Sequence, residues 1–90
     1  MKIIFNEPFL PMNRTRLSLS ELPVGGRAFV VALDAAPELA ARLGALGFLP
    51  ATEVHCRRRA PLGDPRVYEL RGVQLCLRRS EAARVLVELA

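Results

Sequence analysis

The sequence has no tryptophan, one tyrosine, one histidine and only two cysteines in 90 residues. Cys56 and Cys76 are too few for a disulfide scaffold or a cysteine-rich zinc site. The lone histidine, His55, adjoins Cys56 in TEVHCRRRA, where Val54 and Cys56 alternate with Glu53, His55 and Arg57 as in a strand. Adjacent strand residues point to opposite faces, so His55 and Cys56 cannot share an ion without a bulge, and no third ligand follows nearby. A half-exposed His55 beside a buried Cys56 is expected, with Cys76 outward and nothing near it to make it reactive. A Gly-rich phosphate loop and any Ser/His/Asp or Cys/His arrangement are missing, and Asp64 and Glu69 form no recognisable acid–base pair, so catalysis is not expected. Scarce aromatics also argue against a PxxP-binding groove. Long apolar runs are lacking too: FVVAL stops at Asp34, far short of the ~20 residues of a membrane span. MKIIFNEPFLPM is interrupted by Asn6 and Glu7, unlike a signal peptide. A cytoplasmic chain with reduced thiols is the expectation.

What the sequence does have is enough apolar content for one small core. Hydrophobic residues make up 51% and charged residues 24%, a globular balance in a length that allows a single domain. The net charge of +4 lies entirely in the second part. Residues 1–53 carry five basic and five acidic side chains, and residues 54–90 carry eight and four. Twelve of the thirteen basic residues are arginine, a bias that, with abundant Ala, Leu and Gly, fits a GC-rich genome as well as any guanidinium chemistry. The basic half suits nucleic acid, an anionic membrane surface, an acidic partner, or simply solvent.

Residues 1–16 contain Pro8, Pro11 and Asn13 and the polar NRTR, and are expected to form an N-terminal extension, with the domain proper at 17–90. Pro23-Val-Gly25-Gly26 is a turn into the strand RAFVVAL, residues 27–33. Pro37 and Glu38 open a helix whose Leu39, Leu43 and Leu46 form one stripe, leaving Arg42 outside it. Gly47 is placed to end that helix in the left-handed conformation. Gly44, costly in mid-helix, is expected where the helix approaches the sheet closely. Ala60–Pro65 is a loop, Arg71-Gly72 a tight hairpin, and Val73, Leu75 and Leu77 are expected inward with Gln74, Cys76 and Arg78 outward. Ser80 is expected to cap a helical turn that carries Glu81, before the last strand, Val85 to Leu89. The fold expected is mainly β: a small SH3-like barrel of about five strands, one helix after the first and a short helical turn before the last.

Four blocks in this order, GRAFVVAL (26–33), RLGALGFLPATEV (42–54), APLGDP (60–65) and RGVQLCLRRSEAARVLV (71–87), resemble the ferrous iron transport protein A (FeoA) family. The similarity covers residues 17–90. It implies an SH3-like domain and a non-enzymatic accessory role in bacterial ferrous iron uptake, at the cytoplasmic GTP-binding portion of the permease FeoB. It implies no catalytic residues, no cofactor and no established iron site. One departure is Ala51, where the family usually has glycine, so a type I turn is expected there.

Three groups of residues follow. Leu46, Phe48, Leu49 and Leu62 form a candidate partner patch, or else they seal the barrel mouth. Gly47, Pro50, Gly63, Asp64, Pro65 and Gly72 are candidate structural turns. Arg57, Arg58, Arg59, Arg66, Arg71, Arg78 and Arg79 form a candidate basic face, whose rival use is nucleic acid or ribonucleoprotein binding. Tyr68 alone supplies an aromatic there, too little for base stacking. The extension is a candidate homo-oligomer element.

Overall fold

A computed structural model of the chain describes residues 15–90; of the expected extension 1–16, residues 1–14 and with them its oligomer role lie outside the described part, while Arg16 opens the first strand. The elements are β1 (Arg16–Ser18), a 3-10 turn (Leu19–Glu21), β2 (Arg27–Leu33), α1 (Pro37–Leu46), β3 (Glu53–Arg59), β4 (Arg66–Leu70), β5 (Val73–Leu77), α2 (Arg79–Ala82) and β6 (Val85–Leu89). The strands form one sheet in the order β1-β6-β2-β3-β4-β5, every neighbouring pair antiparallel. The sixth strand is β1, three residues too short to show a pattern, held by the register Leu17 to Val87 and an ion pair from Arg16 to Glu88 at 2.7 Å.

Period-2 burial runs through the central strands, as their sequences dictate. Val54 and Cys56 in β3, Tyr68 and Leu70 in β4, and Val85 and Val87 in β6 are buried, while His55 and Glu69 are half-buried on the other face. Bulges at Val30/Ala32 in β2 and Cys56/Arg58 in β3 interrupt the registers, the kind of irregularity that bends a strand. β1 and β5 are the two edges of the sheet. The 3-10 turn and Leu22 lie across the buried face instead, where the Tyr68 Oη donates to the Leu19 carbonyl at 3.2 Å and the Arg66 Nη1 donates to the Leu22 carbonyl at 3.3 Å. Leu19, Leu22, Leu43 and Phe48 complete the core between these strands.

The helix ends as its sequence predicts. Gly47 adopts φ 113°, and the Phe48 N–H reaches back to the Leu43 carbonyl at 3.1 Å. Two expectations for this helix fail. A side chain at Gly44 would meet nothing within 4 Å, so no close approach explains that glycine. Leu46, at the last turn, is 43% exposed, and only Leu43 of its stripe is fully buried. In β5, Val73 is 60% exposed rather than inward, because the edge strand starts beyond the core; Leu75 is half-buried and Leu77 buried. Ser80 does not cap α2 but lies within it; the Glu81 carboxylate accepts the Arg78 N–H at 2.9 Å at that end.

Phe48 corrects the expected partner patch. It is fully buried, because the left-handed Gly47 reverses the chain and drops the ring onto the core. Phe48→Ala is therefore expected to destabilise the domain by about 3–5 kcal/mol, read as a lowered urea midpoint with an unchanged slope. A loss below about 1 kcal/mol would mean that the ring is not packed as described.

Candidate partner-docking surface

The segment joining α1 to β3 forms a turn of specific type. The Thr52 N–H bonds the Leu49 carbonyl at 3.1 Å, Pro50 takes the second position, and Ala51 the third with φ 71°. Proline second and positive φ third define a type II turn, not the type I turn expected. The conformation is imposed from outside: the Ala51 N–H donates to the Val30 carbonyl at 2.7 Å, and the Val30 N–H donates to the Thr52 carbonyl at 2.9 Å. These bonds continue the β2–β3 pairing into the turn and fix its backbone. Across from it, Leu70 pairs with Val73 and leaves Arg71 and Gly72 as a two-residue hairpin loop, with φ 51° and 81°, as a type I′ turn requires.

These two turns flank a groove of about 630 Å³, lined by Pro50, Ala51, Thr52, Glu53, His55, Glu69, Arg71 and Gly72. Three of its polar side chains are already engaged. Glu53 meets Arg27 at 3.1 Å and His55 at 3.6 Å, and Glu69 meets Arg57 at 3.3 Å. Among the described residues no group of three or more His, Cys, Asp and Glu is placed to hold a metal ion. Leu49, 44% exposed, adjoins the groove at the type II turn, and Val73 adjoins it after the hairpin. Val73 is a surface residue that the alternation pattern concealed.

The candidate groups of the sequence come apart in space. Leu62, 95% exposed, sits in the loop after β3, whereas Leu49 precedes β3. The seven residues of β3 separate them by roughly 20 Å at about 3.3 Å per residue, so Leu46, Leu49 and Leu62 do not make one patch. The basic row divides likewise. Arg66 is buried, Arg57 is ion-paired with Glu69, and Arg71 stands at the hairpin end. Arg58, Arg59, Arg78 and Arg79 are exposed at the opposite end and form no ion pair among the described residues. The loop 60–65 is tied down by Gly63 N–H to the Ala60 carbonyl (2.7 Å), Ala60 N–H to the Pro65 carbonyl (2.9 Å), and Arg79 N–H to the Asp64 Oδ1 (2.8 Å).

Burial sets the titration of the core groups. It pushes the Cys56 thiol up against the pull of Arg66 and Arg59, so Cys56 is an inert neutral thiol rather than a nucleophile. The Tyr68 phenol is pushed up to about 12, chiefly by burial. Glu81 moves the other way. The Arg78 N–H holds its carboxyl below the usual value, and an ion pair from Arg42 of α1 adds to this against some desolvation.

A FeoA domain model matches residues 17–89. The chain belongs to the FeoA family. A Porphyromonas gingivalis Fe(2+) transport protein A/Fe(2+) transporter FeoB fusion protein is 33% identical over 73 residues, which are 81% of this chain and 9% of that protein. The chain thus spans less than a tenth of that relative. The solution structure of FeoA from Chlorobium tepidum is similar at TM-score 0.76 and 38% identity, over 81% of this chain and 70% of that one. FeoA from Stenotrophomonas maltophilia, described as a prokaryotic SH3 domain protein, is similar at TM-score 0.71 and 36% identity, over 79% and 88% of the two chains. The mainly β, SH3-like fold expected from sequence is the fold of these relatives, built here with six strands.

Two measurements test the local geometry. A non-glycine residue in the left-handed region costs about 1–2 kcal/mol, and glycine adds about 0.4–1 kcal/mol of unfolded-state entropy. Ala51→Gly is therefore expected to stabilise the FeoA domain by up to about 1 kcal/mol in urea melts; destabilisation would contradict the strained turn. Glu81 has a folded pKa below its ordinary 4.5, so its contribution is present above that value and lost as the pH falls through the folded pKa. Glu81→Gln should cost about 0.5–1 kcal/mol at pH 7, with the gap closing below pH 4.5; a gap independent of pH would show that charge plays no part.

Proposed function

We propose that this FeoA-family chain is a non-enzymatic accessory of ferrous iron transport that acts in the cytoplasm by docking to the GTP-binding portion of a FeoB-type permease. The observation that carries the reading is the relative in which Fe(2+) transport protein A and FeoB form one polypeptide. Fusion of two functions in one chain fits partners that work in contact. The docking surface is the groove end, with Leu49, Leu46 and Val73 as exposed apolar contacts and the two turns as a rigid rim. Its fixed backbone suits docking, because a preformed surface loses little conformational entropy on binding. No helix among the described residues is long and apolar enough to cross a membrane, so attachment to a permease falls to such a surface. The nucleic-acid alternative is weakened by the burial of Arg66 and of Tyr68, the one aromatic of the basic row.

An NMR titration of the full chain with the soluble GTP-binding domain of its cognate permease tests this reading. Shifts are expected at Leu46, Leu49, Ala51 and Arg71 to Val73. Leu49→Asp should weaken binding about tenfold or more, in the range of an interface anchor, without loss of fold. Binding that leaves these residues unshifted would move the surface elsewhere, and no binding at millimolar concentration would overturn docking to that domain.

A further inference from the structure

The opposite end of the domain carries a second surface, independent of the docking reading. The loop 60–65 joins β3 to β4, and its Leu62 is 95% exposed between Pro61 and Gly63. Arg59 pairs with Arg66, and Arg66 with Leu77. At ~4.8 Å between strands, the ends of β3 and β5 therefore lie only about 10 Å apart, on either side of the loop's return into β4. Arg58 and Arg59 stand on one side, and Arg78 and Arg79 on the other. The bond from the Arg79 N–H to Asp64 Oδ1 shows that the loop abuts the start of α2. All four side chains are exposed and form no ion pair among the described residues. Behind them Arg66 adds a fixed charge whose acceptor is a carbonyl, not a carboxylate. The nearby carboxylates are engaged, Asp64 by that backbone N–H and Glu81 by Arg42 and Arg78.

We propose that this end rests on an anionic lipid surface, with Leu62 inserted at the headgroup boundary and the four arginines on lipid phosphates. The charge sign selects an anionic surface, and the shape selects a bilayer over a protein. Protein interfaces centre on clusters of aromatic and apolar anchors, whereas here one leucine projects alone while Leu46, Leu49 and Val73 lie at the other end. A bilayer needs only an apolar wedge and diffuse positive charge. Nucleic acid would call for stacking aromatics, and Tyr68 is buried. In this orientation the groove end points away from the membrane.

The absence of tryptophan provides a clean test. Leu62→Trp in the full chain makes position 62 the sole tryptophan, so residues 1–14 cannot produce the signal. With vesicles of phosphatidylcholine and 30–40% phosphatidylglycerol, the emission is expected to shift to the blue and become protected from aqueous quenchers. Neutral phosphatidylcholine vesicles should give no shift. Each arginine near an anionic surface contributes roughly a fivefold factor in partitioning, so Arg58→Gln with Arg59→Gln should weaken flotation with these vesicles about 25-fold, and raised salt should do the same. An unshifted emission in anionic vesicles overturns the proposal, as does equal binding to neutral ones. Quenching by a single-stranded oligonucleotide or an acidic peptide without any vesicle response would also overturn it, assigning the surface to that partner.

Discussion

Two hydrogen bonds from β4 to the carbonyls of Leu19 and Leu22 hold the domain closed. The sheet cannot close on itself, because β1 has three residues and pairs only with β6, while β5 pairs only with β4. The 3-10 turn covers the buried face instead, and it brings backbone carbonyls into an apolar space. Left without donors, each would cost about 1–3 kcal/mol, more than the ~1 kcal/mol net value of a typical hydrogen bond. Tyr68 supplies one donor, and its raised pKa of about 12 keeps that proton in place across the physiological range. Arg66 supplies the other at a cost of its own, since its Nε has no acceptor. Neutral Cys56 gives that arginine no counter-charge. The contact persists because it does what an apolar side chain cannot: it ties the covering segment to the sheet and satisfies a carbonyl together.

With the buried face covered this way, β3 acts as a ruler between two unlike ends. One end gathers the type II turn, the hairpin and the apolar residues Leu49 and Val73. The other gathers the 60–65 loop and the unpaired arginines. The strand's outward Glu53 and Arg57 are neutralised in ion pairs with Arg27 and Glu69. The middle of the sheet is therefore chemically quiet, and whatever the domain recognises meets one end or the other.

Much of this fold was legible in the sequence, and the failures share a cause. Alternation in VHC and RVYEL, the Arg71-Gly72 hairpin and the helix stop at Gly47 are local signals that fixed neighbours do not override. β1 carries no such signal, since three residues cannot display a period, and only its pairing with β6 makes it a strand. Arg66 is invisible as a core residue because arginine ordinarily lies outside; nothing local announces the carbonyl of Leu22, 44 positions away. Phe48, Leu49 and Leu62 read alike as apolar residues near turns, yet one is core and the others stand at opposite ends. The candidate patch and the basic row failed as groups for that reason. Closeness in sequence or in kind is not closeness in space, and a strand of seven residues separates what adjoins its two ends.

The strained positions bear on where function lies. Where this chain needs positive φ it mostly uses glycine, at Gly25, Gly47, Gly63 and Gly72. Among the described residues, Ala51 and Arg71 are the two exceptions, and both line the same groove. Arg71 follows from the type I′ hairpin, which would accept glycine or asparagine more readily. Ala51 follows from the backbone bonds to Val30, which would hold a glycine equally well. Neither side chain is needed for the core, since both are exposed. Folding alone therefore gives no reason to place a Cβ at these two sites and carry the strain. At position 51 the family usually has glycine, so of the two it is the Arg71 side chain, held at the rim by the hairpin, that is better explained by what it touches outside the molecule, and this supports placing the docking surface at the groove end.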